Sequence, residues 1–186
     1  PRAHALPHLD LAHGPGAVVP AKVKSIAQRA RAFDLAVIGL SRHGRPRTGF
    51  ERVWPVAELA DFLPRADFLV SVLPDTPATR GLLGAEAIAA MRRGAYFINV
   101  GRGASVVTDD LIAALTDGAI AGAGLDVTDP EPLPDGHPLW RAPNVIITPH
   151  ISAGSDLRSA RLWRVISENL RRYTAGEPML SVVDVS

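Results

Sequence analysis

Cysteine is absent from the 186 residues, which excludes disulfides, thiolate zinc sites and a cysteine nucleophile together. The absence also suits a reducing compartment, so cytoplasm is the expected location. A surplus of charge is missing too. Twenty Lys and Arg against nineteen Asp and Glu leave a formal net charge of +1, and nothing electrostatic points to nucleic acid or an anionic membrane. No apolar run approaches the roughly 18 residues needed to span a bilayer, and no charged start followed by an apolar stretch reads as a signal peptide. What is present is a globular balance, 47% hydrophobic and 21% charged, which suits one ordinary domain with a single core.

From Asp34 onward, short apolar runs alternate with helical patterns. Leu35–Leu40, Phe68–Leu73, Ala95–Val100, Ile120–Val127 and Val145–Thr148 read as strands buried on both faces. Helical spacing appears over Val56–Leu63 and Ala85–Met91, the second closed by Gly94. Thr108 is expected to cap a helix through Leu111 and Leu115, with Asp109 and Asp110 in its first turn and Gly118 past its end. Ser155 and Asp156 open a long amphipathic helix ending at Gly176. Strand and helix in this alternation predict right-handed βαβ units in an open parallel sheet.

Residues 1–24 stand apart. Pro1, Pro7, Pro15 and Pro20 accompany His4, His8 and His13 without a clear period. His4 and His8 have the spacing of two ligands on a helix, but proline breaks such a helix, so no metal site is expected. The expected layout is an irregular leader over 1–24, a nucleotide-binding domain over 25–176 and a tail over 177–186.

Three stretches carry a resemblance. They are Leu73-Pro74-Asp75-Thr76-Pro77-Ala78-Thr79-Arg80-Gly81-Leu82, then Ile98-Asn99-Val100-Gly101-Arg102-Gly103. The third is Gly124-Leu125-Asp126-Val127, continuing through Asp129-Pro130-Glu131-Pro132 to Thr148-Pro149-His150-Ile151-Ser152. In order and spacing they resemble the D-isomer-specific 2-hydroxyacid dehydrogenases, among them glyoxylate/hydroxypyruvate reductases and phosphoglycerate dehydrogenase. The resemblance covers about 27–176. It implies a Rossmann-like, doubly wound α/β fold and hydride transfer between NAD(P)H and a small 2-oxo or 2-hydroxy acid. It also implies roles. His150 is the general acid and base, work suited to imidazole with its ordinary pKa of about 6.5. Glu131 orients His150, and Arg102 grips the substrate carboxylate through its guanidinium fork. Cofactor contacts are implied at Ser41, Arg42, Leu73, Pro74, Thr79, Val100, Gly101, Asp126, His150 and Ala153. A homodimer is implied as well.

Two features depart from the pattern. The glycines of the phosphate-binding fingerprint are expected at 18, 20 and 23, where this chain has Val18, Pro20 and Val23. Such side chains crowd the tight turn and the approach to pyrophosphate. A shifted match, Gly14–Val19, lies four residues early. The substrate domain that precedes the fingerprint in relatives has no counterpart, so the first strand and glycine loop read as degraded or replaced and the chain as a fragment with impaired activity. Leu9–His13 is a weak substitute for the first strand. Losing that strand exposes apolar faces and unpaired edges, which predicts marginal stability.

After the second Rossmann strand the chain reads Ser41-Arg42-His43-Gly44-Arg45. No acid is placed for a ribose 2′-hydroxyl, whereas Arg42 suits a 2′-phosphate; NADP is favoured over NAD. The competing reading is a non-catalytic remnant of the fold, or a corepressor-like binding protein.

Overall fold

The computed structural model describes residues 3–5, 21–152 and 154–182, with 3–5, 21 and 22 as backbone. The chain divides into two compact units, 1–150 and 151–186.

In the first unit the strands are β1 (Ala3–Ala5), β2 (Ala36–Ser41), β3 (Arg52–Pro55), β4 (Phe68–Ser71), β5 (Tyr96–Asn99), β6 (Gly122–Leu125) and β7 (Val145–Ile147). Its helices are α1 (Ala21–Ala32), α2 (Leu59–Phe62), α3 (Ala85–Ala89) and α4 (Thr108–Thr116). Every ladder is parallel, in two hydrogen-bonded sets, β1-β2-β3 and β4-β5-β6-β7. β1 also borders β4. The order is therefore β3-β2-β1-β4-β5-β6-β7, without a ladder at the β1–β4 step among the described residues. Strand order reverses there, and in open parallel sheets that reversal marks the ligand crevice beyond the strands' carboxyl ends.

The five strands expected from apolar runs all form, four within those runs and β2 reaching one residue beyond, to Ser41. Five of the six β2 residues are buried, as a strand covered on both faces requires. The core joins Leu40, Phe62, Leu63 and Leu69 to Ile88 of α3 and Leu111 and Leu115 of α4. Gly118 follows α4 with φ 65 and donates its N–H to the Leu115 carbonyl at 3.2 Å, the left-handed closure that glycine permits.

Four details differ from the sequence expectation. The leader is not wholly irregular: Ala3, His4 and Ala5 pair with Ala36, Val37 and Ile38, because β2's backbone supplies the hydrogen bonds whatever the side chains are. β3, with charged Arg52 and proline at its end, gave no apolar run. The 56–63 pattern breaks into 3₁₀ turns around a four-residue α2. Thr108 does not cap α4; Val107 holds that position with no side-chain cap, and the Thr108 hydroxyl instead donates to the Asp129 carbonyl at 2.9 Å. Leu9–His13, Gly14–Val19, Val18 and Pro20 lie outside the described residues. Val23 sits within α1 and is buried.

Ser71 ends β4 buried against Leu40, Leu63, Leu69 and Leu73, and its hydroxyl has no hydrogen-bond partner among the described residues. An unpaired buried hydroxyl costs about 1–3 kcal/mol. Ser71→Ala is therefore expected to stabilise the chain by about 1 kcal/mol and raise Tm by roughly 2–4 °C. A lower Tm by calorimetry contradicts this.

The second unit is built on α5 (Arg158–Thr174). The Ser155 hydroxyl and Asp156 carboxylate accept the Leu157 N–H at 3.1 and 3.0 Å, so the expected opening residues do their work one turn ahead of the helix. The chain then folds back. Asn169 accepts the Leu180 N–H at 2.7 Å and donates to the Leu180 carbonyl at 3.1 Å, while Arg171 bonds both Glu168 and Glu177. Hydrogen bonds from Arg171 and Arg172 pull the Glu168 carboxyl from the usual 4.5 down to about 2, and Arg171 lowers Glu177. These are depressed carboxylates, so the contribution of Glu168 is full above pH 4.5 and is lost as pH falls towards 2, and that of Glu177 is likewise lost in acid. Both sites are solvent-exposed, which screens the effect. Hydrogen exchange at the Leu180 amide should accelerate, relative to its intrinsic rate, over that acid window. Unchanged protection there would contradict the clip.

Candidate active site

Parallel strands place their following loops on one edge of the sheet. That topology gathers loops after β2, β4, β5, β6 and β7, and the expected residues occupy all five.

The loop after β5 is shaped by backbone clearance. A Cβ on Gly101 would lie 2.5 Å from the Leu73 nitrogen, and one on Gly103 would lie 1.9 Å from the Thr128 carbonyl oxygen. Glycine is required at both by direct backbone approach. Between them Arg102 is extended and solvent-exposed, its guanidinium Nη1 donating to the Gly101 carbonyl at 2.7 Å. Val100 donates its N–H to the Ser71 carbonyl at 3.0 Å, tying this loop to the end of β4.

After β4, Leu73 is buried and Pro74 exposed. Thr79 is fully buried. Its hydroxyl donates to the Pro74 carbonyl at 2.6 Å and accepts from the Thr76 N–H at 2.9 Å. Thr79 therefore holds the 74–79 loop in shape.

Asp126, buried at the end of β6, accepts the Thr148 hydroxyl at 2.6 Å. Its N–H goes to the Asn99 carbonyl and the Thr148 N–H to the Leu125 carbonyl, each at 2.9 Å. The ends of β5, β6 and β7 are thus cross-linked around one carboxylate.

Two residues past Thr148, His150 adopts φ 52, a backbone region that non-glycine residues rarely enter. Its N–H donates to the Thr148 carbonyl at 3.0 Å. Its Nδ1 lies 2.5 Å from Glu131 Oε1, a charge-assisted pair in which both side chains keep about 40% of their exposure. This pairing commits Nδ1 and leaves Nε2 as the nitrogen for outside chemistry. Glu131 is delivered by the 128–132 segment, which Thr108 anchors through Asp129. Among the described residues no hydrogen bond or ion pair links Arg102 to either member of the pair.

At the sheet's other half, Ser41 is buried and accepts the Gly44 N–H at 3.1 Å, closing the turn that carries the half-buried Arg42. Ala153 lies outside the described residues. Asn99 and Thr148 went unremarked in the sequence. Asn99 carried a usable signal, since an asparagine two residues ahead of a glycine is the side chain that closes a local turn. Nothing local marks Thr148, whose partner is 22 residues away.

Residues 23–152 match the NAD-binding domain of the D-isomer specific 2-hydroxyacid dehydrogenases. Glyoxylate/hydroxypyruvate reductase A of Serratia proteamaculans is 41% identical over 162 residues, covering 87% of this chain and 51% of that protein. An uncharacterized protein of Corynebacterium melassecola is 40% identical over 160 residues, 86% of this chain and 53% of that one. The chain spans about half the length of the curated relatives it matches. Among solved structures, a D-isomer specific 2-hydroxyacid dehydrogenase from Xanthobacter autotrophicus Py2, in complex with NADPH and MES, superposes with a TM-score of 0.82 at 39% identity. That match covers 98% of this chain and 71% of the other. The NADPH-dependent glyoxylate/hydroxypyruvate reductase of Sinorhizobium meliloti, with NADP and sulfate, gives 0.82 at 36% identity over 99% of this chain and 57% of its own.

Proposed function

The chain belongs to the D-isomer specific 2-hydroxyacid dehydrogenase family, and from that premise we propose that it forms the cofactor-binding and proton-transferring half of a reductase of small 2-oxo acids of the glyoxylate and hydroxypyruvate class. The observation that carries the proposal is the His150–Glu131 pair, at 2.5 Å, on the sheet edge that also bears Arg102 and Asp126.

The donor set fits a nicotinamide dinucleotide. Asp126 is a carboxylate acceptor just past β6, Val100 follows β5, the 74–79 loop follows β4, and Arg42 follows β2 where no carboxylate stands. That last feature, with the NADPH and NADP held by the two neighbouring structures, favours NADP over NAD. The bound dinucleotide would supply the hydride. His150, in its protonated form, gives its Nε2 proton to the carbonyl oxygen of the substrate, and in the reverse direction takes it back. Glu131 holds the ring and stabilises the imidazolium. Arg102 supplies a guanidinium for the carboxylate and polarises the adjacent carbonyl. Homodimerisation and a cytoplasmic setting belong to the same proposal by family likeness.

The test is NADPH binding by the purified chain, followed by fluorescence, with glyoxylate-dependent oxidation of the bound cofactor. Binding below about 1 mM with turnover supports the proposal. Failure to bind NADPH or NADH at that concentration overturns it.

A further inference from the structure

The turn that presents Arg102 depends on a side chain that touches no solvent. Asn99 ends β5 with 1% of its surface exposed. Its Oδ1 accepts the Gly101 N–H at 3.0 Å, and its Nδ2 donates to the Arg102 carbonyl at 3.1 Å. Both halves of the amide are therefore spent within three residues, as the inventory of one acceptor and one donating group allows. The same Gly101 offers its carbonyl to the Arg102 guanidinium at 2.7 Å. A buried amide thus grips the peptides on either side of the one whose carbonyl holds the guanidinium. The main-chain carbonyl of Asn99 takes the Asp126 N–H at 2.9 Å, so one residue sets both the Arg102 turn and the end of β6.

We infer that Asn99 is a positioning residue for Arg102, stapling the turn after β5 so that the guanidinium is held ready for a substrate carboxylate. The inference deepens the proposed function and rests on it for the identity of that carboxylate. Ser105 is a partial helper only. Its hydroxyl donates to the Arg102 carbonyl at 2.8 Å, but among the described residues Asn99 alone offers a side chain that accepts the Gly101 N–H. Without the amide, burial would leave the Gly101 N–H unpaired, while the Arg102 carbonyl would keep only its bonds from Ser105.

The experiment is a double-mutant cycle on the full chain with NADPH and glyoxylate. Asn99→Ala should raise KM for glyoxylate about tenfold, with the NADPH Kd kept within about twofold. In an Arg102→Ala background the same change should add nothing, because its effect passes through Arg102. Asn99→Ser, whose hydroxyl can still accept from Gly101, should raise KM less and guards against a misfolded alanine variant. Equal rises in both backgrounds, or a parallel loss of NADPH affinity, overturn the inference. A second readout does not need turnover. Trypsin should cut between Arg102 and Gly103 about tenfold faster in Asn99→Ala, with the exposed Arg80–Gly81 bond unchanged. If the parent chain does not bind NADPH, the proposed function fails, and this cleavage still decides Asn99. Unchanged cutting after Arg102, or acceleration at both bonds alike, overturns it.

Discussion

Gly103→Ala is expected to be the most damaging single-methyl change in the chain. The new Cβ would stand 1.9 Å from the Thr128 carbonyl oxygen and 2.1 Å from its carbon, both main-chain atoms that cannot rotate away. Gly103 itself is buried, opening the 3₁₀ turn at Gly103–Ser105 that Arg102 precedes. Overpacking of this kind costs about 3 kcal/mol where the neighbours are backbone, against a typical stability of about 5–15 kcal/mol. For a chain of this length Tm should fall by roughly 6–12 °C. The effect reaches the site as well. The displaced Thr128–Asp129 backbone is what delivers Glu131, and Thr108 ties it to α4. A variant that keeps its fold should lose the Glu131–His150 pair, visible as a change in the His150 ring resonances. A melting curve within a degree of the parent would refute the argument.

His150→Gln should lower kcat for glyoxylate reduction by about 10²–10⁴-fold while NADPH affinity stays near the parent value. Glutamine preserves a polar group of similar reach to Glu131 but has no transferable proton at neutral pH. Glu131→Gln should fall less, because that residue acts through the imidazole. Combining the two should cost scarcely more than His150→Gln alone, as expected for groups working as a unit. Parent-like turnover by His150→Gln would remove histidine from the proton path and leave the pair a structural contact at the end of β7.

β2, β4, β5, β6 and β7 were legible because each carries a continuous apolar run, although β7 is not covered on both faces and Ile146 stands 72% exposed. β1 and β3 were not: Ala3-His4-Ala5 and Arg52-Val53-Trp54-Pro55 owe their strand conformation to β2, whose backbone they flank. Arg102, Glu131 and His150 stood out through the motifs around them. Thr108 was misread as a cap because capping is a local rule, whereas its hydroxyl answers to Asp129, 21 residues on.

The sequence by itself determined the parallel α/β class, through apolar runs and turn residues whose physics is local, and the family, through three motifs in order. The roles proposed for His150, Glu131 and Arg102 are what that family likeness implies. Tertiary structure decided which atoms meet. It set Glu131 against His150 across 19 residues, Thr148 against Asp126 across 22, and Gly103 under Thr128 with no room for a methyl group. Such contacts depend on how loops from separate strands converge at one sheet edge, and no spacing along the chain specifies that convergence.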